Sequence, residues 1–348
     1  MKHLSDCKEK ILSCSKCGLC QSVCPIYKIT GNDCTVSRGH FIMLKGVINN
    51  ELKMSKTINK YLDLCLKCNA CKKFCPSGID VAEIVTLAKA EFFNSSKFAK
   101  FKSFIFKIFI IDFYFKFNNL FCINKKSKKY EKKVVYFGGC NSKSNRDIIK
   151  IFNRMGVEVI SPDFDCCGLP FLLMGDLEQF NNYKNSFYKI IEKYKGYDII
   201  TTCANCEKAL NLYSKFDEKQ ELKIKNIFKY MKENDFIPEL KKHKSVTFHK
   251  PCNLDNFNDV IEILKNIKNL KYIQMEEYDK CCGFNSIINF KEYKTMLKLF
   301  CKKYQNIKKS GAKIVLTSCF GCKLVLKIFS FGKYRVMNFT EFLAKNMK

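Results

Sequence analysis

The sequence predicts an α/β protein in two parts, a small and mostly helical domain in front of a duplicated α/β unit. Three observations predict it. Over the second half, short β-branched runs alternate with long helical stretches, the pattern of a parallel sheet covered by helices. The cysteines of that half recur at nearly constant offsets of 112, 115, 115, 116 and 116 residues, so the unit occurs twice. Near the N-terminus, eight more of the 22 cysteines form two copies of a tighter motif, in a segment whose apolar residues fall at helical spacing. A chain of 348 residues is long enough for two or three domains. Its 47% apolar content excludes a disordered chain, and no apolar run reaches the ~18 residues of a membrane-spanning helix. The start, Met1 to Lys10, is charged every two or three residues and resembles no secretory signal. The thiols are therefore expected in a reducing cytoplasm, where dense cysteine means metal or redox chemistry before it means disulfides.

The front motif is Cys14-x-x-Cys17-x-x-Cys20-x-x-x-Cys24-Pro25, repeated as Cys65-x-x-Cys68-x-x-Cys71-x-x-x-Cys75-Pro76. Three thiolates at this spacing can curl around three corners of an iron–sulfur cube, while the fourth, carried off by the proline, reaches the other cube. Crossed ligation follows: Cys14, Cys17, Cys20 and Cys75 for one [4Fe-4S] cluster, Cys65, Cys68, Cys71 and Cys24 for its neighbour. Zinc, the alternative, takes its four ligands in pairs. Two helices are expected between the copies, and Asp80 is placed to cap a third. Residues 1–95 thus read as a two-cluster ferredoxin domain.

Residues 96–130 have another character. Phe92 to Phe121 holds eleven Phe among Lys, almost without acid, and the run Lys125-Lys126-Ser127-Lys128-Lys129 closes the stretch. Lys102, Lys107, Asp112 and Lys116 prevent it from spanning a bilayer. An amphipathic helix docking on protein is the preferred reading, and one lying in a membrane interface is the alternative.

The repeats are assigned to residues 131–238 and 239–348. Cys140, Cys166-Cys167-Gly168 and Cys203-x-x-Cys206 are echoed by Cys252, Cys281-Cys282-Gly283 and Cys319-x-x-Cys322. Each group follows a predicted strand, at the sheet edge where open α/β sheets bind ligands. The Gly after each Cys-Cys pair permits a turn that a Cβ would crowd. Five thiols per repeat exceed the four that a cubane or a structural zinc needs. A vicinal disulfide is the alternative for the Cys-Cys pairs, but it leaves Cys-x-x-Cys without a role.

With these motifs the chain resembles the cysteine-rich "CCG" domain proteins: the iron–sulfur subunit of glycolate oxidase, related lactate-utilisation proteins and the D-type subunit of heterodisulfide reductase. Arg38-Gly39, Cys75-Pro76-Ser77-Gly78 and His249-x-Pro251-Cys252 fit the same resemblance. It implies two [4Fe-4S] clusters in the front domain. It further implies one or two noncubane clusters held by Cys140, Cys166, Cys167, Cys203 and Cys206, and by Cys252, Cys281, Cys282, Cys319 and Cys322. Glycolate oxidase subunits often keep only the second Cys of the last pair, whereas both pairs are complete here, a tilt towards heterodisulfide reductase.

No Gly-x-Gly-x-x-Gly or phosphate-loop motif occurs, so neither flavin nor nicotinamide is expected on this chain. A separate FAD-binding dehydrogenase subunit would then take the hydride from a glycolate- or lactate-type 2-hydroxy acid, and this chain would relay single electrons to quinone, a membrane subunit or another acceptor. A disulfide reductase working at the CCG clusters and an iron–sulfur sensor or scaffold are the alternatives. The net charge of +29 is mostly Lys in a chain also rich in Asn and Ile, without a nucleic-acid-binding module, so nucleic acid is not expected as a partner. A Lys-rich face would suit an acidic partner or the inner face of the cytoplasmic membrane. Among the histidines, His3, His40 and His243 read as solvated or satisfied, while His249 reads as a hydrogen-bond donor to cluster sulfur. Cys7, Cys34, Cys122 and Cys301 read as apolar fillers.

Overall fold

The structure, a computed structural model, describes residues 3–114, 125–139, 145–216, 222–284 and 293–348. It divides into two compact units, one of Met1–Ile105, Pro170–Gln179 and Lys280–Lys302, the other of Phe106–Leu169, Phe180–Asp279 and Lys303–Lys348.

In the first unit, short helices alternate with cysteine loops. Pro25–Thr30 starts with Pro at its first position, where the missing N–H costs nothing. Ser37–Ile48 and Lys56–Leu64 are the two expected helices between the motif copies. Ser55 caps the second of these by accepting from the amide of Ile58, and Asp80 caps Val81–Ser95 by accepting from that of Glu83. The inward faces of these helices, with Leu4 and Ile11, build one core of Phe41, Leu44, Leu62, Ile84, Val85 and Ala88. Helix Ser37–Ile48 rests directly on the turn at Asp33: a Cβ on Gly39 would lie 2.1 Å from the Asp33 carbonyl oxygen, so only glycine fits.

The Phe-rich stretch starts at the end of helix Val81–Ser95, with Phe92 and Phe93, and goes on as the helix Lys97–Phe106 and a π-helical continuation, Lys107–Tyr114; residues 115–124 lie outside the described residues. The helix buries Ser103, which donates to Asp176, and exposes Phe98, Phe101 and Phe104. Ile108 and Phe109 are also exposed. No described helix is long and apolar enough to cross a membrane.

The second unit holds two four-stranded parallel sheets. Strands β1 (Lys132–Phe137), β2 (Val157–Ile160), β3 (Asp198–Thr201) and β4 (Ile224–Asn226) run in the order β2-β1-β3-β4. Strands β5 (Glu239–Phe248), β6 (Lys268–Tyr272), β7 (Ile314–Thr317) and β8 (Arg335–Asn338) repeat it as β6-β5-β7-β8. The α/β duplication is therefore present in topology as well as in cysteine spacing. Residues of both sheets, among them Val134, Ile200, Val246, Phe248 and Leu316, share one core. Sequence reading misses β4 and β8. Each has only three or four residues with a charged or amide residue at an end, too short for alternation to register.

Candidate metal centres

In the first unit the two motif copies fold alike. Lys16 and Gly18 take left-handed backbone conformations in one (φ 57° and 81°), Lys67 and Asn69 in the other (52° and 59°). Left-handed residues on both sides of the second cysteine curl the chain tightly, and such backbone in non-glycine residues persists where the surroundings impose it. Cys24 and Cys75 are both extended (φ −75°, ψ 118° and φ −80°, ψ 116°), which carries the fourth thiol of each copy out of the curl.

Cys24, Cys65, Cys68 and Cys71 line one pocket, with Ser37, His40 and Lys67 also in its wall. Burial pushes the Cys65 and Cys24 thiols up, and takes that of Cys71 up to about 12. Neighbouring cysteine charge acts in the same direction on Cys24, from Cys65, and on Cys71, from Cys65 and Cys24. Cys20 is raised by burial and, less strongly, by Cys14 and Cys17. The exposed Cys17 is lowered by the amide of Leu19. Ser77 Oγ donates to the carbonyl of Ser13 (3.2 Å), so the chain just after Cys75 meets the residue just before Cys14. Four thiols around one pocket, with Cys24, Cys65 and Cys71 disfavoured as bare anions, match the donor set of a cubane, in which iron supplies the compensating charge.

One helix serves both copies. The amide of Arg38 reaches Cys20 and the side chain of Ser37 reaches Cys71, both at the start of Ser37–Ile48. His40, one turn on, is wholly buried in the pocket wall, with Nε2 3.2 Å from the Tyr61 carbonyl; burial lowers it to about 4. Sequence reading treats His40 as an ordinary helical residue. Its place three residues after Ser37, on the face turned to Cys71, was the available signal.

In the second unit, six thiols form a continuous chain: Cys166 touches Cys167, Cys167 touches Cys206, Cys206 touches Cys203, Cys203 touches Cys319 and Cys319 touches Cys322. The link from Cys203 to Cys319 joins the two repeats, and Ala204 N donates to the Ser318 carbonyl (2.8 Å) beside it. Cys203 is held low by hydrogen bonds from Cys206 and Cys319 and by the amide of Phe320, while Cys206 and Cys319 are pushed well up by the sulfurs facing them. Topology explains the convergence. β1 and β3 are the strands between which the order reverses, and their carboxyl ends open on the crevice where such sheets take ligands. Cys203 follows β3 by two residues and Cys319 follows β7 by two. The Cys-Cys pairs lie farther from their strands than the sequence suggests, six residues after β2 and nine after β6.

The first repeat wraps its thiols in rings. The rings of Phe137, Phe164, Phe187 and Tyr213 follow one another in contact at 5.1, 5.4 and 5.6 Å, and Tyr213 Oη donates to the Cys167 carbonyl (2.8 Å). A Cβ on Gly139 would stand 2.9 Å from Cys206 Sγ, so the space beside that sulfur exists only because the residue is glycine. Glu207, whose carboxylate accepts from Asn226 (2.9 and 3.1 Å), is raised to about 7 by burial. Sequence reading misses Tyr213 and Glu207, although Tyr213 stands two helical turns after Cys206.

Gly168 and Gly283 both adopt positive φ (64° and 83°), as the Cys-Cys-Gly motif requires. Cys281 and Cys282 are buried, and Cys281 Sγ accepts from Gly283 N at 3.4 Å. Cys252 is half-buried in the turn after β5. Cys140 and Cys122 lie outside the described residues. None of the described cysteines is in a disulfide. Of the four fillers, Cys7 is buried in the core and Cys34 is half-buried. Cys301 is exposed on helix Tyr293–Lys309, so the filler reading fails there because its side of the helix faces solvent.

A family model described as a cysteine-rich domain matches residues 134–211 and 246–327, and a 4Fe-4S dicluster domain model matches residues 10–79. The chain is 24% identical to the probable glycolate oxidase iron-sulfur subunit of Bacillus subtilis, over 92% of this chain and 89% of that one. It is 23% identical to the D-type subunit of the dihydromethanophenazine:CoB–CoM heterodisulfide reductase of Methanosarcina acetivorans, over 89% and 87%. The C-type subunit of the anaerobic glycerol-3-phosphate dehydrogenase of Escherichia coli is 26% identical over 56% of this chain and 54% of its own length. Among solved structures, a hypothetical protein from Helicobacter pylori shares the fold at a TM-score of 0.54 and 12% identity, covering 87% of this chain and 66% of that one.

Proposed function

We propose, for a chain that belongs to the CCG-domain iron–sulfur proteins and carries a 4Fe-4S dicluster domain, that it is the electron-transferring subunit of a multi-subunit oxidoreductase. In this reading it relays electrons from a flavoprotein that oxidises a glycolate- or lactate-type 2-hydroxy acid towards quinone or another acceptor. The observation that carries it is the grouping of sulfur: four thiols around one pocket in the first unit, and six in unbroken contact across both repeats of the second. Bound iron–sulfur clusters would supply one-electron carriers, which a flavin needs to discharge a hydride in single steps.

The ligands we assign are Cys14, Cys17, Cys20 and Cys75 for one cubane, and Cys65, Cys68, Cys71 and Cys24 for the other. The CCG cysteines, Cys140, Cys166, Cys167, Cys203 and Cys206 with Cys252, Cys281, Cys282, Cys319 and Cys322, are assigned to one or two further centres. The protein chain's share of the work is to exclude water from these sulfurs and to set their electrostatics. Burial of Cys203, Cys206 and Cys319 and the row of aromatic rings ending at Tyr213 support that role. The exposed Phe98, Phe101 and Phe104 offer an apolar face on which the flavoprotein or acceptor subunit would dock.

Heterodisulfide reduction is the second reading, and one observation favours it. Both Cys-x-x-Cys pairs are complete and meet at Cys203 and Cys319, an arrangement suited to handling two sulfurs of a substrate. Anaerobic co-purification from the native host separates the two. Association with a flavoprotein, with cluster bleaching by glycolate or lactate, supports the first reading; turnover of a disulfide by the reduced protein without that partner supports the second.

A further inference from the structure

We infer that His249 is a nitrogen ligand of the metal centre in the second repeat, and that it makes this centre a better electron acceptor than its counterpart in the first. The inference rests on the reading that the CCG cysteines hold iron–sulfur centres. His249 is wholly buried, and its backbone N–H donates to the Leu316 carbonyl (2.8 Å), which fixes it at the end of β5 beside β7. From there a ring nitrogen comes within 4.8 Å of Cys322 Sγ. Two ligands of one tetrahedral metal stand roughly 3.5 Å apart, so the pair needs only a small approach to share an iron.

The first repeat carries a different group at the matching position. Three residues before Cys140, as His249 is three before Cys252, stands Phe137. Phe137 also ends its central strand, paired with Thr201 of β3, and its ring meets that of Phe164 at a tilt, with centroids 5.1 Å apart. Duplication has thus kept the sheet and the cysteines while exchanging a hydrocarbon ring for an imidazole beside the sulfurs. With the imidazole on iron, one of the five thiols of the second repeat stays off it, and a neutral ring in that thiolate's place leaves the centre less negative and raises its reduction potential. Electrons entering the second unit would then collect first on the second repeat.

The test uses the full chain isolated anaerobically with its iron, from cells fed 15N-labelled histidine. Pulsed EPR should show a nitrogen coupling of the size given by an iron-bound imidazole. It should survive in His40→Asn and vanish in His249→Phe. Because His249→Phe leaves a gap in the donor set and can fail to fold, His249→Cys is the second variant. It restores a ligand as a thiolate, and the midpoint potential of one centre in the second unit should fall while those of the dicluster domain stay put. Phe137→His should shift the other centre upward. Only the weak coupling of a hydrogen-bonded ring, coupling that persists in His249→Phe, or unchanged midpoints in His249→Cys would each overturn the inference. Iron and sulfide counts keep this failure apart from a deeper one. CCG repeats that hold no iron overturn the cluster reading along with the ligand, whereas filled repeats without nitrogen overturn the ligand alone.

Discussion

The first four-cysteine motif and the second turn through left-handed backbone at the same steps, yet they sit in different surroundings. Cys17 is exposed and its thiol is held low by the amide of Leu19; Cys65 and Cys71 are half-buried and desolvation pushes them up. Two buried cations stand around the second copy. Lys67 and Lys89 both donate to the Leu173 carbonyl (2.7 and 2.8 Å), and Lys89 pairs with Asp63 at 2.6 Å. Motif spacing alone therefore sets how thiols curl, while the packing around them sets how easily a centre there accepts charge. We expect the outer centre to be the more accessible and the inner one to be reduced first.

The strongest way to break this comparison is to remove the support that both copies share. Gly39→Ala forces a methyl group to within 2.1 Å of the Asp33 carbonyl, so the start of helix Ser37–Ile48 must move. Because that start touches Cys20 through Arg38 and Cys71 through Ser37, both centres should suffer together. We expect a loss of about 3 kcal/mol or more, read by chemical denaturation, and loss of iron from both centres. A variant that lost only one would show the two copies to be independently built.

The next effect is smaller and selective. Cys24→Ser should remove about four iron atoms and the signals of the inner centre, although Cys24 belongs in sequence to the outer motif. Loss of the outer centre instead would mean that each motif closes on itself. Iron analysis with EPR of the reduced protein distinguishes the outcomes.

How much of this was readable beforehand differs between the two units. Thiols spaced two or three residues apart can be read directly as a group, because local backbone brings them together, and the Cys24–Pro25 and Cys75–Pro76 steps showed where the chain turns extended. The repeat was legible because cysteine offsets survive divergence. What could not be read was anything that depends on which strands are neighbours. The contact of Cys203 with Cys319 follows from two sheets sharing one core, and the burial of His40 follows from how a helix rolls against the pocket. Neither leaves a trace in spacing. Strands β4 and β8 escaped for a plainer reason, being three or four residues long.

Lys89→Met sharpens the comparison further. It takes a cation from the neighbourhood of Cys65 and removes the ion pair from Asp63, which keeps its hydrogen bond from Asn59 (3.1 Å). With Asp63 still about a fifth exposed, the stability cost should be about 2 kcal/mol, below that of a fully buried pair. The midpoint potential of the inner centre should fall while that of the outer centre holds. Equal shifts in both would mean that the lysines act as a diffuse field and not through the pocket.

The smallest effect concerns the thiols themselves in the metal-free protein, and it reads the same difference without iron. Thiolate is the form that alkylates, so Cys17, lowered, should react with iodoacetamide first. Cys71, raised to about 12, would be thiolate in only about one part in ten thousand at pH 8 and should react last. Linkage gives the sign of the effect on stability. Between the ordinary thiol value of 9.0 and about 12, the unfolded chain releases a proton that the folded chain keeps on Cys71, so raising the pH through that window favours unfolding. Cys71→Ser should flatten that alkaline loss, whereas Cys17→Ser, at an exposed site, should leave it in place. An alkaline transition that is unchanged in Cys71→Ser would mean that the inner pocket is open to water when empty, and the contrast between the two copies would then belong to the metal-loaded protein alone.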